Sequence, residues 1–307
     1  MKEQLAFVLG GGGARGALQV GALQALLESG LVPDLLVGTS IGAVNASFMA
    51  LNGFTLHSLE KLASVWQETA GANLLPDNYL WLSVRALFGR PSTYPAQRLR
   101  NFYIAHGLDP GLQFKDIRDM RLILVATDLN HGRPVLFGQS PEDSILEGVL
   151  ASTALPPWVS PLKKDGRLLL DGGTVSTLPI EPALSAGATE IVALDLTDFR
   201  DVLVREDGFG PFVGKLIYTV EQRQKDLELA LAAARGIPVT HIHLQADDPV
   251  PLWNFQHTET LITRGYELVL QAIQERPRSA PRSRWWFFRR PRSNPSTICP
   301  NRLPSRR

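Results

Sequence analysis

Leu35-Leu36-Val37-Gly38-Thr39-Ser40-Ile41-Gly42 is a short apolar run that closes on a Gly-x-Ser-x-Gly pattern and opens into the apolar segment Gly42–Leu51. The reading of this stretch decides the fold. Leu35–Val37, entered just after Pro33-Asp34, has the character of a buried strand, and Gly42–Leu51 that of a helix. A strand that turns sharply into a helix exposes the side chain at its apex, and glycines at 38 and 42 avoid a clash within the turn. The plain alternative is a serine that caps a helix in a small-residue turn. The strand before and the helix after favour an exposed hydroxyl. Residues Leu35–Leu59 contain no Asp, Glu, Lys or Arg, a length that would permit a membrane span. Three glycines and Thr39, Ser40, Asn45, Ser47 and Asn52 interrupt it, so it reads as buried strand and helix.

Upstream, the apolar run Gln4–Leu9 goes straight into Gly10-Gly11-Gly12-Gly13-Ala14-Arg15-Gly16, so it reads as a strand, over Leu5–Leu9, and not as a signal peptide. Ala17–Glu28 has helical spacing. Glycines let backbone N–H groups point outward at a helix N-terminus, which suits an anion: a pyrophosphate, a free phosphate or the oxyanion of acyl transfer. The Gly11, Gly13, Gly16 match to G-x-G-x-x-G would serve a dinucleotide only with an acidic residue closing the second strand. That strand closes on Val37-Gly38-Thr39-Ser40, and Asp34 lies at its other end.

Downstream, Arg121–Asp128, Pro134–Phe137, Leu168–Leu170, Ile191–Leu196 and Val239–Leu244 are predicted strands. Helices are predicted from about Leu56 to His106 and over Glu142–Leu150, Phe212–Ala234 and Thr258–Gln274. Continuous apolar strands alternating with helices give an α/β fold with a mostly parallel sheet covered on both faces. Leu168-Leu169-Leu170-Asp171-Gly172-Gly173 places a carboxylate where an apolar strand ends; an ordinary Asp-Gly turn is its bland reading.

The chain has 307 residues, 44% apolar and 20% charged, enough for a large buried core. Its single cysteine, Cys299, excludes an internal disulfide and suits a reducing compartment. The last acidic residue is Glu275, and ten of the 31 Lys and Arg follow it, leaving −9 on residues 1–275 and +10 on 276–307. This segment of Pro, Ser and Arg, with Trp285-Trp286-Phe287-Phe288, buries too little apolar surface to fold alone and is predicted to be disordered.

Gly11–Gly16 with Arg15, Gly38–Gly42 and Asp171-Gly172-Gly173, in that order, resemble the patatin-like phospholipases, and within them the small bacterial members of the neuropathy-target-esterase type. Val125–Leu129 with Gly132-Arg133, Ala151–Pro156, and Gly187-Ala188 leading into Ile191–Leu196 resemble the same family. The motif core spans 4–200, the domain extends to 275, and the tail 276–307 lies outside the resemblance. It implies the patatin three-layer sandwich and a lipid or lysophospholipid acyl hydrolase working through a Ser40–Asp171 dyad without histidine. In that reading Asp171 takes the proton of Ser40, and the backbone at Gly11, Gly12 and Gly13 receives the oxyanion. Arg15 matches the family's basic position in the loop; a structural hydrogen bond or ion pair is its equal alternative.

Two rivals stay open on residues alone. An α/β-hydrolase triad would complete Ser40 and Asp171 with His241, His243 or His257. The first two alternate along a strand, one expected to face solvent and the other to fill space. A non-enzymatic module would use the glycine loop to hold phosphate or nucleotide. Leu74–Arg90, with Tyr79, Trp81 and Phe88, reads as a core helix or as a cap over an acyl channel. The aromatic, basic tail fits peripheral attachment at the inner face of a membrane, with a cytoplasmic body; no folded reader of nucleic acid accompanies it. No calcium loop and no zinc-like Cys/His cluster occurs, so a mechanism free of metal and cofactor is expected.

Overall fold

A computed structural model of the chain describes residues 3–71, 94–156, 159–200 and 209–275. The cap segment Leu74–Arg90 and the tail 276–307 therefore lie outside the described residues. The strands are β1 (Leu5–Leu9), β2 (Leu35–Thr39), β3 (Arg121–Asp128), β4 (Arg133–Phe137), β5 (Leu162–Lys164), β6 (Arg167–Asp171), β7 (Glu190–Asp195) and β8 (Val239–His243). The helices are α1 (Ala17–Glu28), α2 (Ile41–Asn52), α3 (Leu56–Gly71), α4 (Tyr94–Ala105), α5 (Ile145–Ser152), α6 (Ile180–Ser185), α7 (Phe209–Ala234) and α8 (Thr258–Glu275).

β3, β2, β1, β7 and β8 run parallel to one another in that order. Side chains alternate between the two faces, as strand geometry requires. Leu5, Phe7, Leu9, Leu36, Leu122 and Leu124 join the larger core with α1, α2, α3, α5 and α8. Ala6, Val8, Leu35, Val37, Ile123 and Val125 join the smaller one with α6 and Ala232 of α7. Both faces are apolar because both are covered, which is why these strands read as continuous runs. The result is a three-layer α/β sandwich.

The antiparallel end of the sheet creates the geometry that matters most. β4 pairs with β3 over residues 124–128, β2 pairs with it over 121–125, and β6 over 126–128. A strand has two edges, so β2 and β6 must share the edge opposite β4. They run in opposite directions and meet end to end: Thr39 lies opposite Val125 and Asp171 opposite the next residue, Ala126. Register alone thus brings the ends of two strands, 131 residues apart for Ser40 and Asp171, to one place. The short β5, hairpinned to β6, was not among the predicted strands. Among the described residues no helix is long and apolar enough to cross a membrane.

Candidate active site

Ser40 stands between β2 and α2 with φ 55°, ψ −125°. Only one other described non-glycine residue, Asp165, has positive φ. Such a backbone costs about 1–3 kcal/mol and persists only where neighbours enforce it. They do so here. The Ser40 N–H donates to Ser152 Oγ at 2.9 Å, and Ser152 Oγ in turn donates to the Val125 carbonyl at 2.6 Å. Tightness at the elbow explains the glycines: a Cβ at Gly42 would lie 2.1 Å from the Leu9 carbonyl oxygen, and one at Gly38 2.5 Å from that of Gly42.

The elbow aims the hydroxyl at Asp171. Ser40 Oγ donates to Asp171 Oδ2 at 2.6 Å, and Asp171 Oδ1 accepts from the Gly173 N–H at 2.8 Å. Thr127 Oγ1 donates to the Asp171 carbonyl at 2.8 Å, fixing the residue from behind. Burial raises the carboxyl to about pKa 6, outweighing the stabilising hydrogen bonds from Ser40 and Gly173. Gly172 and Gly173 form a single 3-10 turn after the strand, with Asp171 as its cap.

The glycine loop faces the same point. Its amides are not equivalent. The Gly11 N–H donates to the Thr177 carbonyl at 2.9 Å and the Ala14 N–H to that of Leu252 at 2.7 Å. Gly11 is therefore corrected as a donor to an oxyanion: its N–H is already engaged. Gly12 and Gly13 donate to no described residue. The Gly12 carbonyl accepts from the Arg15 N–H and from Arg15 Nε, both at 3.2 Å. In a trans peptide the N–H points opposite the carbonyl, so Arg15 turns the Gly13 N–H away from itself. Arg15 Nη1 also donates to the Asp198 carbonyl at 2.8 Å. Buried as it is, Arg15 binds backbone, the structural half of its expected reading. Gly16 completes the 3-10 turn that leads into α1.

Ser40, Asp171 and Gly11–Gly13 line a cavity of about 920 Å³. Val44, Phe48, Leu62, Trp66, Leu99 and Phe102 build one wall from α2, α3 and α4, and Leu216, Ile217 and Val220 of α7 another. Besides Asp171, the charged side chains among its described lining residues are Arg15, Asp198 and Glu221. Burial raises the Glu221 carboxyl to about 7, with Arg15 opposing the shift.

The candidate histidines go elsewhere. His241 Nε2 lies 2.9 Å from Asp195 Oδ2, which Lys225 also contacts at 2.9 Å. His243 Nε2 lies 2.6 Å from the Thr197 carbonyl, and His257 is exposed on a short turn. None of the three contacts Ser40 or Asp171. The expectation that one of His241 and His243 faces solvent while the other fills space is corrected. Positions two apart on a strand share a face, and both are exposed there against the end of β7. Ser152, Thr177 and Glu221 were missed. Ser152 lies in Ala151–Pro156, a segment of the family resemblance to which no role attaches in sequence; Thr177 acts through its carbonyl, which no sequence pattern advertises.

Over residues 7–184 the chain matches the patatin-like phospholipase family model, and it belongs to that family. Mouse patatin-like phospholipase domain-containing protein 7 is 33% identical over 216 residues, covering 65% of this chain and 14% of that protein. An uncharacterized NTE family protein of Mycobacterium tuberculosis is 26% identical over 295 residues, 90% of this chain and 47% of that one. The chain thus spans less than half the length of these relatives. Among solved structures, VipD from Legionella pneumophila aligns over 88% of this chain and 66% of its own, at 14% identity and a TM-score of 0.46.

Proposed function

We propose that this protein hydrolyses acyl esters of lipids, phospholipid or lysophospholipid, with Ser40 as nucleophile and Asp171 as its base. The 2.6 Å contact between Ser40 Oγ and Asp171 Oδ2 beside an apolar cavity carries the reading, and membership of the family supports it. Ser40 Oγ bonds to the ester carbonyl carbon as its proton passes to Asp171 Oδ2. Negative charge gathers on the former carbonyl oxygen, and the N–H groups of Gly12 and Gly13, which donate to no described residue, serve as its donors. The tetrahedral centre collapses, the carbon–alkoxide bond breaks, and Asp171 returns its proton to the departing alcohol. Water then adds to the acyl carbon as Asp171 takes its proton. Asp171 passes that proton to Ser40 Oγ as the acyl–oxygen bond breaks, releasing the fatty acid and restoring the dyad. The apolar wall from α2 to α4 receives the acyl chain.

The test is a panel of phospholipid, lysophospholipid and simple carboxylic esters assayed with wild type, Ser40→Ala and Asp171→Asn. Each variant is expected to lose about 10³-fold or more in kcat on every ester that wild type cleaves. Retained hydrolysis by Ser40→Ala, or loss of hydrolysis on replacing His241, His243 or His257 singly by Ala, contradicts the dyad.

A further inference from the structure

Against the glycine loop, among residues that do not line the cavity, runs a chain of buried amides that the reaction above leaves unused. Gln19 of α1 and Asn45 of α2 are both fully buried. Each interrupts a helix whose other inward positions are small or apolar. A buried carboxamide is costly unless paired, and leucine would fill such a place without that cost. Their partners are specific. Gln19 Nε2 donates to the Gly10 carbonyl at 2.9 Å, at the start of the loop. Asn45 Nδ2 donates to the Gly16 carbonyl at 3.0 Å, at its end, and to Gln19 Oε1 at 2.9 Å. Asn45 Oδ1 accepts from the Trp66 Nε1–H at 2.9 Å, and Trp66 is part of the cavity wall.

The two amides therefore grip the loop at both ends while Thr177 and Arg15 hold its interior. Among the described residues, what stays uncommitted is the pair of N–H groups at Gly12 and Gly13. A glycine-rich turn has wide conformational freedom, and donors stabilise a developing charge fully only when fixed beforehand. We infer that Gln19 and Asn45 are positioning residues that lock the glycine loop into its donor-ready shape, and that Trp66 ties this lock to the wall of the acyl cavity. This rests on the proposed role of Gly12 and Gly13 as oxyanion donors.

Such a role acts on the transition state and not on substrate binding, so it separates kcat from KM. The experiment measures hydrolysis of 4-nitrophenyl butyrate by wild type, Asn45→Leu, Gln19→Met, Trp66→Phe and Ser40→Ala, with folding checked by near-ultraviolet circular dichroism. Asn45→Leu and Gln19→Met are expected to lose about 10- to 100-fold in kcat, with KM within about twofold. The inhibition constant of butylboronic acid, which forms a tetrahedral adduct, should rise in step with the loss in kcat, and the acid limb of the pH profile should not move. Trp66→Phe keeps an aromatic side chain but removes the donor together with the five-membered ring. It should lower kcat by about 3- to 10-fold, and it serves if the other two variants fail to fold. A kcat within about threefold of wild type in folded Asn45→Leu and Gln19→Met overturns the inference. So does an unchanged kcat in Trp66→Phe where that variant alone folds, or a joint drift of kcat, KM and acid limb. If Ser40→Ala is inactive while the positioning variants are unimpaired, only this inference falls; if Ser40→Ala hydrolyses like wild type, the proposed function falls with it.

Discussion

Asp171 is enclosed by protein, and its carboxyl is raised to about 6 by burial. A base must be ionised to accept the serine proton. Under the proposed mechanism kcat/KM falls about tenfold per pH unit below 6 and is level above it. A second cavity carboxyl, Glu221, is raised to about 7. Glu221→Gln should leave the limb near 6 in place, and its disappearance in that variant would assign the limb to Glu221. A rate level down to pH 4 would contradict Asp171 as a buried base. Ser40 and Asp171 were legible as candidates through the order of three glycine-flanked segments taken together, since a serine cap or an Asp-Gly turn alone has ordinary structural uses. Ser152 was not, since a serine at a helix end has many.

At the level of elements, β1, α1 and β3 begin and end where hydrophobic periodicity placed them. β2 runs two residues beyond its apolar core, to Thr39, because β3 offers partners that far. β5 escaped because three residues, Leu162–Lys164, carry no periodicity; only the hairpin to β6 makes them a strand. The crossing of α1 and α8 was equally hidden, since it joins residues some 240 apart through small side chains. At Gly265 an added Cβ would lie 1.9 Å from the Leu18 carbonyl oxygen. Ala is the better helix former by about 1 kcal/mol, but the obstacle is rigid backbone, so overpacking should win. Gly265→Ala is expected to destabilise the fold by about 2–3 kcal/mol in urea unfolding. A neutral or stabilising change would show that these helices part easily.

Across the whole molecule, charge is divided between an acidic body and an arginine-rich segment after Glu275. We propose that this segment, through its arginines and Trp285–Phe288, brings the protein to anionic lipid. Each basic residue near such a surface contributes about 1 kcal/mol, screened by salt. The full chain should co-sediment with phosphatidylserine vesicles at low salt, and a chain ending at Glu275 should not. Equal binding by both would remove the segment from the account. Everything else depends on the nucleophile, and covalent labelling reaches it directly. Treated with a fluorophosphonate and mapped by mass spectrometry, the protein should carry one adduct, on the peptide containing Ser40. That adduct should be absent from Ser40→Ala and slow to form in Asp171→Asn. An active preparation that leaves Ser40 unmodified, or one labelled instead at another residue with loss of hydrolysis, would contradict it.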